Sequence, residues 1–273
     1  MNFNNQPKIT ICIAHFNDTE FILTSLLALK HLTKNPYQVL IKDNGSKRKN
    51  LFKLANGIRK YDNVFLSQQP EGFNLRGSEA HGTALNQLVS KVTTPYFVIL
   101  DADCLFLRKN WDEILIAKIN DKVKAIGTKA PLSKPQDFPL MFAILLETTA
   151  FKQLNIDFRP KDVSKKQDTG FEIREKYLSA GFAGINIPFK NTRDFKQGPF
   201  KNILGVDEYY LESELQIFAS HFGRGATLGA AKYAKGTNFI FRLPLIGKFF
   251  RIERGKREIK LWLKICEKII FEQ

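Results

Sequence analysis

The chain has 273 residues, 44% of them hydrophobic and 25% charged, with a formal net charge of +15. That size and apolar fraction suit one large core with an appendage. The charge calls for anionic partners such as nucleotide phosphates, lipid head groups or nucleic acid. Cys12, Cys104 and Cys266 lie far apart, which excludes a disulfide framework and a thiolate zinc site. The longest apolar run, 140–146, is too short to span a bilayer. No basic-then-apolar leader opens the sequence, so a cytoplasmic setting is expected.

Residues 8–14 are rich in β-branched side chains and read as a buried first strand. Asn17 or Asp18 is placed to cap a helix whose apolar face is Phe21, Ile22, Leu26, Leu29 and Leu32, and Asn35-Pro36 ends it. A second strand over 37–42 runs directly into the turn signal Asp43-Asn44-Gly45-Ser46. A basic helix over 47–60 and a third strand over 63–67 complete a β-α-β-α-β order, the first half of a doubly wound sheet. Residues 70–82 read as a glycine-punctuated loop carrying Arg76 and His81, followed by a helix over 83–92. His81 is either a turn residue or a contact to phosphate or ribose.

Residues 95–104, PYFVILDADC, read as a strand buried on both faces that breaks into Asp101-Ala102-Asp103. Two carboxylates there sit at the carboxyl edge, where open α/β sheets bind ligands. They repel each other and lose solvation, and a hard divalent cation with a phosphorylated substrate relieves both costs. A polar turn without a ligand is the alternative.

The second half reads as a helix over 111–118, a strand over 125–129, a proline-bearing loop over 133–139 and a strand over 141–146. A short helix over 148–154 and an amphipathic one over 167–178 follow, with Asp168 a good N-cap by residue type. Residues 209–219 have a helical apolar pattern, with Asp207 and Glu208 at its start, and His221 comes after it. The tail, 238–273, is basic and aromatic with a helical repeat. It reads either as a helix packed on the core or as a surface helix on anionic lipid.

Four segments, ICIAHFN (11–17), DNGS (43–46), SEAHGTALN (78–86) and DAD (101–103), in this order resemble the family 2 glycosyltransferases. Three positions depart from the usual pattern. Ala14 replaces a proline, His15 a Thr or Ser, and His81 a small residue. The resemblance implies an α/β fold of the GT-A type: a single domain with a Rossmann-like, mostly parallel sheet flanked by helices. That domain would cover 1–237, with 1–110 the nucleotide-sugar half and 111–237 the acceptor and catalytic half. Residues 238–273 would be a basic, amphipathic C-terminal extension.

The same resemblance implies the site. Asp43 would hold the nucleotide base. Ala14, Asn17, Arg76, His81 and Ala102 would complete the nucleotide-sugar contacts. Asp101 would address the ribose or the metal shell, and Asp103 would coordinate Mn²⁺ or Mg²⁺ on the diphosphate. His221 would complete the metal set, since imidazole with carboxylate oxygens suits Mn²⁺. Gly223 and Gly225 would let the backbone approach the diphosphate, and Arg224 would pair with a phosphate oxygen. The segment from Gln167 resembles the family's E-D-x-x-x-x-x-R region, with Gln in place of Glu, and makes Asp168 the general base and Asp207 the alternative.

The activity implied is metal-dependent, inverting transfer from a nucleoside-diphosphate sugar to a hydroxyl of a glycan or lipid-linked acceptor, in bacterial surface-polysaccharide or lipopolysaccharide synthesis. The protein would be cytoplasmic, or peripheral on the inner membrane face with 238–273 against an anionic surface. A sugar nucleotidyltransferase would want a glycine-rich basic loop after the first strand, which residues 15–18 lack. A nucleic-acid-binding module would want a recognised motif, and none appears, so no nucleic-acid partner is expected.

Overall fold

The computed structural model describes residues 6–273 except 72, 130, 133, 163, 165–166, 213, 224–238, 240–242 and 244–245. The first half alternates as expected: β1 (Ile9–His15), α1 (Thr19–Leu32), β2 (Tyr37–Asp43), α2 (Arg48–Ile58), β3 (Val64–Gln68), α3 (Gly77–Val89) and β4 (Tyr96–Leu100). Then come β5 (Cys104–Phe106), α4 (Trp111–Ile116), β6 (Val123–Thr128), β7 (Leu140–Glu147), α5 (Thr148–Gln153) and α6 (Phe171–Ser179). The chain continues with β8 (Ala183–Ile187), β9 (Phe189–Asn191), β10 (Asp207–Tyr210), β11 (Ile217–His221) and α7 (Ile246–Phe271).

Seven strands form the main sheet in the order β3-β2-β1-β4-β7-β6-β8. All its pairings are parallel except those made by β7, which runs against both β4 and β6. The central strands β1 and β4 are buried along nearly their whole length, which is why their sequences are continuous apolar runs rather than alternating ones. Side chains alternate between the two faces. Ile9, Ile11 and Ile13 join α1, α4 and α7 in one apolar cluster. Cys12 joins α3, α5 and α6 in the other. The parallel strands β1, β2 and β4 therefore end at one edge, at His15, Asp43 and Leu100.

A second, antiparallel sheet, β5-β11-β10-β9, stands beyond that edge. Here the structure corrects the sequence reading. The described residues of 209–219 are not helical: 209–210 end β10, 217–219 begin β11, and Asp207 begins a strand. A register shift between Tyr209 and Tyr210, and burial of β11 on both faces, erase the two-residue alternation that would have marked a strand. Two further boundaries move. Helix α3 begins at Gly77, so His81 is helical rather than in a loop. Helix α6 is capped by Gly170, with φ +73°, so Asp168 lies ahead of the cap position.

The tail does form a helix. Trp262 is fully buried, 5.5 Å from Phe21 and 5.8 Å from Phe222 between ring centroids, and its indole N–H donates to Ser220 Oγ at 3.0 Å. Among the described residues, no helix is long and apolar enough to cross a membrane.

Candidate active site

The turn after β4 is tight. Asp101 N donates to Phe142 O at 2.8 Å, and Cys104 N donates back to Asp101 O at 2.9 Å. This holds Asp101-Ala102-Asp103 between the two sheets. Strand β11 pairs with β5 so that His221 faces Cys104, and Phe222 N donates to Asp103 O at 2.9 Å. The hairpin missed from sequence is thus what carries His221 to the acidic turn. His221 Nε2 lies 3.3 Å from Asp103 Oδ1, and the ligand atoms of Asp101, Asp103 and His221 all lie within 4.8 Å of one another. Phe142 backs the imidazole at 4.3 Å between centroids, while its Nδ1 is buried with no hydrogen-bond partner. Among the described residues, the ring's polar contact is made through Nε2.

The electrostatics match the geometry. Burial pushes the Asp101 carboxyl up to about 6, against the lowering pull of His81 and His221, and repulsion from Asp103 and Asp168 adds to it. Burial alone would lower His221, but the charge and hydrogen bond of Asp103 outweigh it and raise the imidazole. Both directions mark a cluster short of positive charge. Two carboxylates and one imidazole are an oxygen-and-nitrogen donor set that fits Mn²⁺, or less specifically Mg²⁺.

Three cavities meet at Asp101. The first, about 430 Å³, is lined by Ala14, Arg76, His81, Asp101, Ala102 and Asp103 among others. His81 Nε2 stands 3.8 Å from Asp101 Oδ1 in the wall shared with the second cavity. Asn17 and Asp43 are not among the lining residues. Asn17, with φ +64°, accepts hydrogen bonds on Oδ1 from Lys47 N and Asn50 Nδ2, both at 2.9 Å. Asp43 is 2% exposed and fully engaged: His15 Nδ1 lies 2.8 Å from Oδ1, and Gly45 N and Ser46 N donate to Oδ2 at 3.1 Å. Burial would raise its carboxyl, but the bonds from His15 and Ser46 hold it below the usual range. Both residues brace the β1 and β2 ends, and His15, which bonds Asp43, lines the cavity. Sequence marked His15 only as a departure. The missing signal was the strand register, which sets His15 opposite Asp43.

The other two cavities, about 580 Å³ and 680 Å³, share Asp101 and Asp168. Asp168 Oδ1 accepts from Ser78 Oγ at 2.6 Å and from Thr169 N at 2.8 Å, and Thr169 Oγ1 donates to Ser78 O at 3.1 Å. The loop before α6 is thereby clamped to the first turn of α3. Burial pushes the Asp168 carboxyl up, but Ser78, the Thr169 amide, Lys134 and His81 together hold it below its ordinary value. It is ionised at neutral pH, the form a base needs. Asp207 lines the 680 Å³ cavity and accepts from Asn191 Nδ2 at 2.5 Å. Glu208 is buried instead, taking the Phe200 amide at 2.8 Å and the Tyr210 hydroxyl at 2.6 Å. Gly223 lines the same cavity with φ +72°. Arg224 and Gly225 lie outside the described residues.

Comparison with known proteins identifies the family and the fold. The profile of "Glycosyl transferase family 2" matches residues 10–178. A teichoic acid poly(glycerol phosphate) polymerase of Staphylococcus epidermidis is 28% identical over 96 residues, which are 35% of this chain and 13% of the polymerase. A Pyrobaculum calidifontis mannosyltransferase, PcManGT, solved with GDP-Man and Mn²⁺, superposes with a TM-score of 0.53 at 18% identity, over 67% of this chain and 55% of that one. TarS residues 1–349 of S. aureus superpose with a TM-score of 0.50 at 15% identity, over 66% and 58%. At such identities the likeness speaks for the fold, which is that of the GT-A glycosyltransferases. With a profile covering more than half its length, the chain belongs to glycosyl transferase family 2.

Proposed function

We propose that this protein is a metal-dependent, inverting glycosyltransferase. It moves a sugar from a nucleoside-diphosphate sugar to a hydroxyl of a glycan or lipid-linked acceptor in surface-polysaccharide assembly. The observation that carries the reading is the meeting of Asp101, Asp103 and His221 with Asp168 across adjoining cavities. The complex of PcManGT with GDP-Man and Mn²⁺ supports the donor class. The teichoic acid polymerase supports a cell-surface glycan as the acceptor class.

In this reading 1–110 is the donor half, 111–237 the acceptor half and 238–273 an extension that meets an anionic membrane. The 430 Å³ cavity takes the nucleotide, with Arg76 and His81 toward the diphosphate. Asp101, Asp103 and His221 would hold a divalent cation, which would supply positive charge against the departing diphosphate. Asp168 accepts the acceptor hydroxyl's proton as that oxygen bonds the anomeric carbon. The sugar–phosphate bond breaks on the opposite face, and its electron pair leaves with the nucleoside diphosphate. Ser78 and Thr169 orient Asp168 throughout.

A thermal-shift panel of nucleoside diphosphates with and without Mn²⁺ tests the reading, because a ligand selective for the native state raises the midpoint. Metal-enhanced stabilisation by one nucleotide is expected. No shift with any nucleotide would sink the assignment.

A further inference from the structure

Helix α7 has two faces with different fates. Gly255, Glu258, Trp262, Cys266 and Ile270 are buried and recur every three or four residues, so this stripe is spent on the core. On the opposite side the first turn is apolar and solvent-facing: Ile246 is 58% exposed, Phe249 62% and Phe250 46%. Along that same outer face Lys256, Arg257, Lys260 and Lys264 are exposed. With Lys268 that face carries five cations against Glu253, which accepts from Lys256 at 2.7 Å, and Glu267. At 1.5 Å per residue, 246–264 carry this face over about 28 Å.

We propose that the outer face of α7 is a docking surface for an anionic lipid bilayer. The aromatic turn enters the head-group layer, and the cations that follow lie along the lipid phosphates. This combination suits a helix lying in the interface plane, where aromatic rings add apolar burial and lysines add attraction to anionic lipid. A second copy of this chain does not fit, because it would bring the same positive face. The two readings of the tail are thereby joined: its C-terminal half packs on the core while its outer face and first turns meet the membrane. Trp262 bonds Ser220, the neighbour of His221, so the docking helix is fastened to the strand that carries a candidate metal ligand. The inference rests on the proposed lipid-linked acceptor for its purpose, but not for its physics.

Sedimentation of the full chain with vesicles of phosphatidylglycerol and phosphatidylcholine, against phosphatidylcholine alone, tests it. Pelleting with the anionic vesicles only is expected, weakening as salt rises. The double variant Phe249→Ser/Phe250→Ser, and separately the triple variant Lys256→Glu/Arg257→Glu/Lys260→Glu, each lower partitioning at least about tenfold. Unfolding midpoints matching the parent show that neither variant has lost its fold. Equal pelleting with both vesicle types, none with either, or none lost in the two variants would overturn the proposal. The Mn²⁺-dependent nucleotide shift, measured on the same preparations, separates the two hypotheses. Vesicle binding without that shift removes the transferase reading alone, and the shift without vesicle binding removes the docking surface alone.

Discussion

Asp168 Oδ1 accepts from Ser78 and from the Thr169 amide. It is not one of the clustered ligand atoms of Asp101, Asp103 and His221. Asp168→Asn is expected to lower kcat by about 10²–10⁴-fold, with the Mn²⁺-nucleotide thermal shift retained. Ser78→Ala removes a hydrogen bond that favours the carboxylate, so the Asp168 pKa rises toward its ordinary value. The acid limb of the kcat–pH profile should then move to higher pH. A profile that stays in place would remove Ser78 from its positioning role. His221→Ala is expected to cut metal-dependent turnover at least about tenfold, with a weakened Mn²⁺ titration. An unaltered titration would take His221 out of the site.

At the scale of elements, glycine inside α3 needs a tertiary explanation. A Cβ on Gly82 would come within 2.7 Å of the backbone of Phe158 and Arg159. The helix therefore packs directly on the loop that precedes Asp168. Gly82→Ala must push that loop away, and a loss of about 1–3 kcal/mol is expected in urea unfolding. From sequence, Gly77 and Gly82 argued for a loop. Gly77 instead opens the helix at φ +58° and Gly82 permits close packing, and the second cause is not local. The β10–β11 hairpin was illegible for a similar reason. Glu208 on β10 turns inward to the Phe200 amide, so a charged residue sits where an apolar one would have shown a strand.

At the scale of the whole molecule, several carboxyls are tuned by partners both near and far in sequence. Asp157 is held low first by Arg159 and then by Asn86, and Glu172 is held low by Lys161 and Lys176 against its own burial. Asp43 is lowered by His15 and Ser46. A depressed folded pKa contributes stability that is present above the ordinary carboxylate range and lost as pH falls through the folded values. Glu208 and Asp101 work the other way, because burial raises both and their charged forms oppose folding. His221, raised by Asp103, likewise contributes stability that grows as pH falls. The urea midpoint should therefore hold or rise slightly between about pH 7 and 5 and fall below about pH 4, where the lowered carboxylates protonate. A midpoint that falls between about pH 7 and 5 would contradict this balance.

The order of strands and helices through Asp101-Ala102-Asp103 was determined by sequence alone, because buried parallel strands must be continuous apolar runs and their polar ends must fall at one edge. The family resemblance was legible for the same reason, in motifs that sit at strand ends. Tertiary structure alone decided which residues meet. His221 reaches Asp103 only through a strand pairing between residues more than a hundred positions apart, and Ser78 reaches Asp168 across ninety. It also decided that Asp43 bonds His15, and that one face of the basic tail's helix is buried while the other stays exposed. Period and residue type are local properties, whereas a site is set by contacts that only the packed chain brings within hydrogen-bonding distance.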